Sequence, residues 1–271
     1  MIQDIEPSIF HNEYINHCPE KGDAVFCFDD EGRILAAQKD GKLIFPDVSA
    51  KDFDTVYLFS IDDKKYHLLL GSFEKECEGY SYLSVRSLRE NGSGAGVFAA
   101  FTAYHLWKWY SDNRYCGSCA GELVPDKTER ALKCKKCGKL IYPRINPAVI
   151  VGVIKNDTIL ITRYKRGYSH DALIAGFAEI GETLEQTVAR EVMEEAGIKV
   201  KNIRYYKSQP WGMAQDLLVG FFCEADGDDE IRMDDTELGS AAWKRRDEIE
   251  LQPVPLSLTN EMMYMFKEGK V

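Results

Sequence analysis

One segment, residues 176–198, constrains this chain more than any other. It reads GFAEIGETLEQTVAREVMEEAGI and has the spacing G-x5-E-x7-R-E-U-x-E-E-x-G-U, where U is an apolar residue. With each residue type at an average usage of roughly 7%, seven fixed positions coincide by chance on the order of one time in 10^8. The pattern therefore indicates a site. Its fixed positions are Gly176, Glu182, Arg190, Glu191, Glu194, Glu195 and Gly197.

The same segment predicts its own secondary structure. Thr183 and Gln186 have the spacing of a capping box, and Gly197 is typical of the residue that ends a helix. At about 100° per residue, the apolar side chains form one stripe and the glutamates fall on the neighbouring arc. We therefore expect a helix that packs on a sheet and turns an acidic face toward a cleft. The apolar stripe consists of Val188, Ala189, Val192, Met193 and Ala196.

The acidic arc is unfavourable unless something binds it. Glu191, Glu194 and Glu195 lie near the carboxyl end of the helix, where each opposes the macrodipole by roughly 0.3–1 kcal/mol. Glu191 and Glu195 also repel each other at the i,i+4 spacing, although Arg190 offsets part of this repulsion. A solvated acidic face is the alternative. A hard divalent cation is the simplest compensation, because Mg2+ bridges one or two carboxylates to substrate phosphates.

These residues resemble the Nudix box, which is complete here at every defining position. The resemblance implies hydrolysis of a nucleoside diphosphate linked to another moiety, with Mg2+ or Mn2+ bound. It makes Glu191 and Glu195 metal ligands, with Glu194 and Glu182 as further acidic positions of the metal site. Arg190 would orient the carboxylates. Cations at this site would neutralise charge on the phosphates and activate a water.

Composition indicates an ordinary enzyme. The chain has 271 residues, of which 45% are hydrophobic, so it can bury a core and hold two domains. It has no apolar run of the ~18 residues that indicate a membrane span, and its N-terminus lacks a signal pattern. We therefore expect a cytoplasmic protein. The net charge of −10 argues against bulk nucleic-acid binding and would repel a polyanionic substrate unless cations are bound.

Four of the eight cysteines form two C-x2-C pairs. Their spacing is close to that of a zinc ribbon, in which two tight turns offer four thiolates to one tetrahedral ion. A redox dithiol is the alternative. Four thiolates leave no open coordination position, so this zinc would be structural. The ligands are Cys116, Cys119, Cys134 and Cys137; the other cysteines, Cys18, Cys27, Cys77 and Cys223, are expected to be free thiols.

The cysteine pairs also divide the chain into predicted domains. Residues 1–112 read as a β-rich domain that ends in an aromatic helix, 113–143 as the ribbon, and 144–271 as a mixed α/β domain. We expect the last domain to be an α/β/α sandwich. Predicted strands cover 24–28, 33–37, 42–45, 55–60 and 66–70, then 148–154, 158–163, 203–208, 217–224 and 241–244; predicted helices cover 97–112 and 256–266.

This order of domains, together with two short motifs, resembles NADH pyrophosphatases of the NudC type. Tyr142-Pro-Arg-Ile145 resembles the linker of that family, and Ser208-Gln-Pro-Trp211 resembles the start of its specificity motif, S-Q-P-W-P-F-P-x-S. The motif then departs, with Gly-Met-Ala-Gln-Asp at 212–216. Losing both prolines should loosen that loop, because proline fixes φ and limits the unfolded ensemble.

The resemblance implies further site residues and a partner. Tyr142 and Phe177 would sandwich a base, although simple core packing is the alternative for both. Glu237 would complete the acidic cluster, unless it belongs to a solvated loop. Contacts with the substrate would also come from Gln209, Trp211 and Thr259. The family further implies a homodimer, in which an apolar helix at 97–112 would be covered.

The resemblance implies that NADH or NAD+ is cleaved to AMP and the nicotinamide mononucleotide. A first alternative is removal of an NAD cap from RNA 5′ ends, since residues 113–144 carry eight Lys/Arg against three Asp/Glu. A second is a broader pyrophosphatase acting on ADP-ribose or dinucleoside polyphosphates. A third is a nucleotide sensor or dimerisation module without catalysis, although no glutamate of the box is lost.

Overall fold

The computed structural model describes residues 1–47, 54–71, 73, 78–89, 94–165, 170–227 and 230–271. Cys77, predicted to be a free thiol, lies outside these residues. The chain forms two compact units. The C-terminal unit comprises Met1, 145–210 and 216–271, and the N-terminal unit comprises 2–144 and 211–215. The predicted three-domain division stays a prediction.

The C-terminal unit is built on one mixed sheet. The elements of this unit are β11 (Asn146–Lys155), β12 (Thr158–Tyr164), β13 (Ile174–Phe177), α3 (Leu184–Ala196), β14 (Val200–Trp211), β15 (Asp216–Ala225), β16 (Leu238–Arg245) and α4 (Leu258–Lys267). The strand order in the sheet is β14-β15-β11-β12-β16, with β13 paired to β11. The central pair, β11 and β15, is parallel, and the other pairs with β11 or β12 are antiparallel. A short 3-10 turn covers Arg246–Glu248.

Alternation along β11 places one helix on each face of this sheet, because successive side chains of a strand point to opposite sides. Val149, Val151 and Val153 lie in one core with Val188, Val192 and Ala196 of α3. Ala189 and Met193, predicted to belong to the same apolar stripe, are exposed instead. Ile150 lies in a separate core with Met262 and the rest of the buried face of α4. The predicted α/β/α sandwich is therefore confirmed.

The N-terminal unit contains three small sheets and a long helix. The strands are β1 (Phe10–His11), β2 (Ala24–Phe26), β3 (Arg33–Lys39), β4 (Lys42–Ile44), β5 (Thr55–Ile61), β6 (Lys64–Leu69), β7 (Ser81–Ser84), β8 (Leu123–Pro125), β9 (Leu132–Cys134) and β10 (Leu140–Ile141). Their orders in the three sheets are β1-β5-β6-β2, β4-β3-β7 and β10-β9-β8. The helices are α1 (Val85–Leu88) and α2 (Ala95–Asp112).

The aromatic residues of α2 are core residues, as the sequence favoured. Phe98 and Phe101 are buried, and Tyr104 and Trp107 pack against the same core. Trp107 also stacks on Phe28 with ring centroids 5.0 Å apart. None of these rings therefore serves as an exposed platform for a base. Within the part of the chain that the structure describes, no helix combines the length and the apolar character of a membrane span.

Candidate active site

Helix α3 carries most of the candidate site, and its ends are those that the sequence predicted. The Thr183 side chain accepts a hydrogen bond from the Gln186 backbone N–H, and the Gln186 side chain accepts one from the Thr183 N–H. Gly197 ends the helix with a φ of 69°, in the left-handed region that glycine adopts without a Cβ penalty. These caps fix which residues share the acidic arc.

Arg190 holds the acidic arc together. Its Nε and Nη2 donate to the two oxygens of Glu182 at 2.6 and 2.9 Å. Nη1 donates to Glu191 at 2.7 Å and to Glu194 at 2.9 Å, and Nη2 also donates to the Phe177 carbonyl. A guanidinium has five N–H donors, and these five hydrogen bonds use all of them within the protein. Arg190 therefore positions carboxylates and has no donor left for a phosphate.

Glu182 is committed to this network. It accepts hydrogen bonds from Arg190, the Thr187 hydroxyl and the Glu179 backbone N–H. Arg190 is the main reason that the pKa of Glu182 falls to about 2. The structure therefore makes Glu182 an anchor for Arg190, which then orients the remaining glutamates.

Glu191 lies against the backbone of β13. A Cβ built on Gly176 would lie 1.9 Å from Glu191 Cδ and about as close to both carboxylate oxygens. A side chain at 176 would force this carboxylate to move. Burial raises the pKa of Glu191, although Arg190 acts in the opposite direction. The first glycine of the pattern thus has a defined physical role.

Glu195 is the most perturbed group of the cluster. It is 4% exposed, and its Oε2 has no hydrogen-bond partner among the described residues. Burial is the main cause that raises the pKa of Glu195 to about 8, followed by the charges of Glu191 and the exposed Glu237. A buried carboxylate with an unpaired oxygen beside two like charges fits a divalent cation, whose preferred ligands are such oxygens.

Tyr164 belongs to the same surroundings, and no motif in the sequence pointed to it. Its hydroxyl is buried without a hydrogen-bond partner among the described residues. Burial raises the pKa of Tyr164, and the charges of Glu195, Glu237 and Glu191 add to that effect. Tyr164 ends β12 outside the box, so only the fold brings it to the acidic cluster.

The two predicted base-stacking residues are exposed. Phe177, at the end of β13, is 53% exposed, and Tyr142 is 55% exposed. Simple core packing is therefore excluded for both rings. The Tyr142 hydroxyl donates to Glu129 at 3.1 Å. The two residues belong to different units, and their sandwich around a base stays a prediction.

Gln209 is not at the surface. It is fully buried, its Nε2 donates to the Leu256 carbonyl, and its Oε1 accepts from the Leu258 backbone N–H, each at 2.8 Å. These bonds fasten β14 to the start of α4 and leave Gln209 without access to a ligand. Thr259, in the first turn of α4, is half-buried.

The segment that replaces the family's proline-rich motif is packed, whereas the sequence predicted a looser loop. Trp211 lies against Phe101 with ring centroids 5.5 Å apart. A Cβ on Gly212 would lie 2.0 Å from the Phe101 carbonyl oxygen. The loop thus sits directly on the α2 backbone, and glycine replaces proline where a ring would collide with it.

The four cysteines of the ribbon lie together. Cys116 and Cys137 have their sulfurs 3.8 Å apart, Cys119 and Cys134 have theirs 3.5 Å apart, and all four lie within 4.8 Å. Four sulfurs about 2.3 Å from one zinc ion lie about 3.8 Å from each other. Gly121 is required beside them, because a Cβ would lie 2.9 Å from Cys134 Sγ. The cluster therefore fits zinc.

Comparison with known proteins agrees with this site. A NUDIX domain model matches residues 144–264. The NAD-capped RNA hydrolase NudC of Shigella dysenteriae serotype 1 is 45% identical over 183 residues, which cover 66% of this chain and 70% of that protein. The protein of the same name from Escherichia coli K12 is 45% identical over 161 residues, covering 58% of this chain and 62% of its own length.

Among solved structures, a NUDIX hydrolase from Nitrosomonas europaea aligns with 57% of this chain and 91% of its own, at 22% identity and a TM-score of 0.48. The Shigella relative, the complete acidic pattern and the four-cysteine ribbon together decide the assignment. This chain belongs to the NudC-type family of Nudix hydrolases.

Proposed function

We propose that this chain hydrolyses the pyrophosphate of NADH or NAD+, giving AMP and the nicotinamide mononucleotide. One observation carries the proposal: Glu195 is buried with an unpaired oxygen beside Glu191 and Glu237, while Arg190 has no free donor. This is an arrangement that holds cations for a phosphate substrate. The relatives are named NAD-capped RNA hydrolases, and these names are the reason that the proposed substrate contains NAD.

Glu191 and Glu195 would hold Mg2+ or Mn2+, with Glu194 and Glu237 as further ligands. When bound, the cation supplies charge neutralisation and an acidified water for attack on phosphorus. Arg190 keeps Glu191 and Glu194 in fixed rotamers, because it bonds both and is itself held by Glu182. The Phe177 carbonyl bonds the same guanidinium, which ties the proposed base-stacking residue to the acidic cluster.

The substrate's adenosine and nicotinamide halves would contact different residues. Exposed Phe177 and Tyr142 would stack on a base, while Trp211 and Thr259 would contact the rest of the dinucleotide.

Asp216 stands where the family's motif has serine. It is 7% exposed, and burial raises its pKa to about 6. The preference between NADH and NAD+ therefore depends on a segment that differs from the family.

Removal of an NAD cap from RNA is the second candidate, and the ribbon favours it. Lys133, Lys135, Lys136 and Lys139 are all exposed on or beside β9. Lys135 pairs with Glu122 at 2.7 Å, and Lys139 donates to the Ser118 hydroxyl. Clustered lysines of this kind contact RNA phosphates and make binding depend on salt.

A panel of NADH, NAD+, ADP-ribose, Ap4A and NAD-capped RNA with Mg2+ or Mn2+ tests both candidates. We expect cleavage of the dinucleotide pyrophosphate and loss of activity in Glu195→Gln. Absence of turnover on the whole panel would refute the proposal and leave a nucleotide sensor. Preference for ADP-ribose or Ap4A would replace it with a broader pyrophosphatase.

Charge reversal separates free NADH from capped RNA. Lys136→Glu combined with Lys139→Glu should lower kcat/KM for NAD-capped RNA by at least ~10-fold and leave NADH unchanged. Lys39→Glu combined with Lys42→Glu, on the exposed β3–β4 hairpin, is the matched control. Equal effects of the two pairs on RNA would contradict a role for the ribbon.

The four cysteines would hold structural zinc. Cys134→Ser should release that zinc and lower the melting temperature, because the metal contributes folding energy. Cys18→Ser, at an exposed free thiol, is the control. Unchanged zinc content and stability in Cys134→Ser would contradict the ribbon assignment.

We retain a homodimer and a cytoplasmic location as proposals. The family resemblance supports the dimer. Sedimentation that gives a single 30.8 kDa species at micromolar concentration would refute it.

A further inference from the structure

A second group of metal-ligating side chains lies in the N-terminal unit, away from the ribbon cysteines in sequence. His17 and Asp23 flank a segment without helix or strand, and His67 lies on β6. His67 Nε2 is 3.3 Å and His17 Nδ1 is 3.8 Å from the same oxygen, Asp23 Oδ2. The three ligand atoms lie within 4.8 Å of one another.

These distances are long for direct hydrogen bonds and close to those between two ligands of one ion. N–H···O hydrogen bonds have donor–acceptor distances of about 2.7–3.2 Å. The His67 contact with Asp23 is a hydrogen bond just beyond the long end of this range, at 3.3 Å, whereas the His17 contact is too long at 3.8 Å. His17 Nδ1 has no hydrogen-bond partner among the described residues. Nitrogen and oxygen ligands about 2.0–2.2 Å from a tetrahedral ion lie about 3.3–3.5 Å apart. The two distances from Asp23 Oδ2 to the histidine nitrogens, 3.3 and 3.8 Å, are at or within a few tenths of an ångström of this range.

The surroundings hold the ligands in place. His67 is fully buried, and the side chains of Asp23 and His17 are 10% and 19% exposed. Asp23 Oδ2 also accepts the Glu20 backbone N–H at 2.9 Å, which orients the carboxylate. The other ring nitrogen of His17 faces the Glu20 carboxylate at 3.7 Å. A carboxylate behind a ligating histidine is a common arrangement at metal sites.

We propose that His17 Nδ1, Asp23 Oδ2 and His67 Nε2 bind a divalent transition metal, with Zn2+ as the expected ion. Two imidazoles and one carboxylate suit Zn2+ and its neighbours, whereas Mg2+ prefers oxygen ligands only. The ion would cross-link the 12–23 segment to β6. Two side-chain hydrogen bonds already hold this segment. The Tyr14 hydroxyl donates to the Asp126 carbonyl, and Arg130 donates to the Asn12 side chain.

Metal content and cobalt spectroscopy test the site without reference to activity. The intact protein, equilibrated with Zn2+ and desalted, should contain one zinc beyond that of the ribbon. His17→Gln and His67→Gln should each lose only that extra zinc and bind it at least ~100-fold more weakly. His11→Gln, at an exposed histidine of β1, should retain it. His17→Gln decides the outcome if the buried His67 variant does not fold.

Co2+ added to protein whose ribbon holds zinc should give a visible d–d spectrum without thiolate charge-transfer bands, and His17→Gln should abolish it. Binding that involves no thiolate would place the ion outside the ribbon. The proposal is overturned if wild type binds only the ribbon zinc, or if the extra zinc is unaffected in His17→Gln. Either result would mean that the three side chains form a metal-free polar cluster.

Discussion

Glu195→Gln should weaken catalysis and strengthen the fold at the same time. Glu195 is nearly inaccessible and its Oε2 is unpaired among the described residues, so its negative charge is unfavourable without a cation. A neutral amide of the same shape removes that charge, and the variant should unfold at a higher temperature in cation-free buffer. The same change removes an anionic ligand, so turnover should fall at least ~100-fold.

The pKa of Glu195 fixes the sign and the pH window of the stability effect. In the folded protein it is raised from 4.5 to about 8, so the folded state holds the proton more tightly than the unfolded chain. This contribution to stability is fully present below pH 4.5 and is lost as the pH rises through about 8.

The loss amounts to at most ~5 kcal/mol, at about 1.36 kcal/mol per pH unit. Rotation of the side chain toward water reduces it, so we expect the amide to recover about 1–3 kcal/mol at about pH 9. That gain corresponds to a rise of several degrees in the melting temperature.

Thermal unfolding at about pH 5 and about pH 9, in buffer freed of Mg2+ and Mn2+, measures the effect. Wild type and Glu195→Gln should have similar melting temperatures at the lower pH, and the variant should have the higher melting temperature at the higher pH. Glu185→Gln, an exposed position in the first turn of α3, controls for loss of a helix charge. Mg2+ should stabilise wild type more than the variant. Equal stabilities at about pH 9, or retained turnover, would refute the reasoning.

Two glycine substitutions give the remaining predictions. Gly176→Ala places a Cβ 1.9 Å from Glu191 Cδ, so turnover should fall at least ~100-fold, as measured by steady-state kinetics. Gly212→Pro, the family's residue, sets a ring against the Phe101 carbonyl and should destabilise the protein by about 1–3 kcal/mol in thermal or denaturant unfolding. Gly117→Ala, where nothing lies within 4 Å, should change neither property and is the control for both. Full activity of Gly176→Ala, or unchanged stability of Gly212→Pro, would contradict the respective packing.

The sequence predicted the elements whose signals are local. The capping box at Thr183 and the left-handed Gly197 bound α3 as expected, because both act within one turn of the helix. The hairpin of β11 and β12 turns at Asn156, which has a φ of 51°. The alternation of side chains along β11 and the helical periodicity of α3 were also sufficient to predict a sheet with a helix on each face. By contrast, β13 was not predicted, since its Ile-Ala-Gly-Phe sequence is too short for a periodic signal.

The sequence was less informative where a side chain's role depends on distant partners. Gln209 was predicted to contact the substrate, yet it is fully buried and its amide bonds the backbone at Leu256 and Leu258. The missing prolines indicated a loose loop, yet Gly212 allows the loop to lie directly on the Phe101 carbonyl. Neither α4 nor α2 is near these residues in sequence, so no local pattern could reveal the contacts.

The geometry of the acidic segment explains why the positions of its residues relative to one another matter more than how many charged residues it has. Glu182 is bound to Arg190, Arg190 is used entirely by protein acceptors, and Gly176 makes room for Glu191. Arg190 and Gly176 contribute no free group to a ligand, and Glu182 is held by Arg190, the Thr187 hydroxyl and the Glu179 backbone N–H. Their combined effect is to keep Glu191 in place beside Glu195, whose burial and unpaired oxygen would be unfavourable without a cation. Moving Arg190 by a single position would turn it about 100° around α3, and moving Gly176 by one position would place it on the other face of β13. In either case the cluster would no longer form.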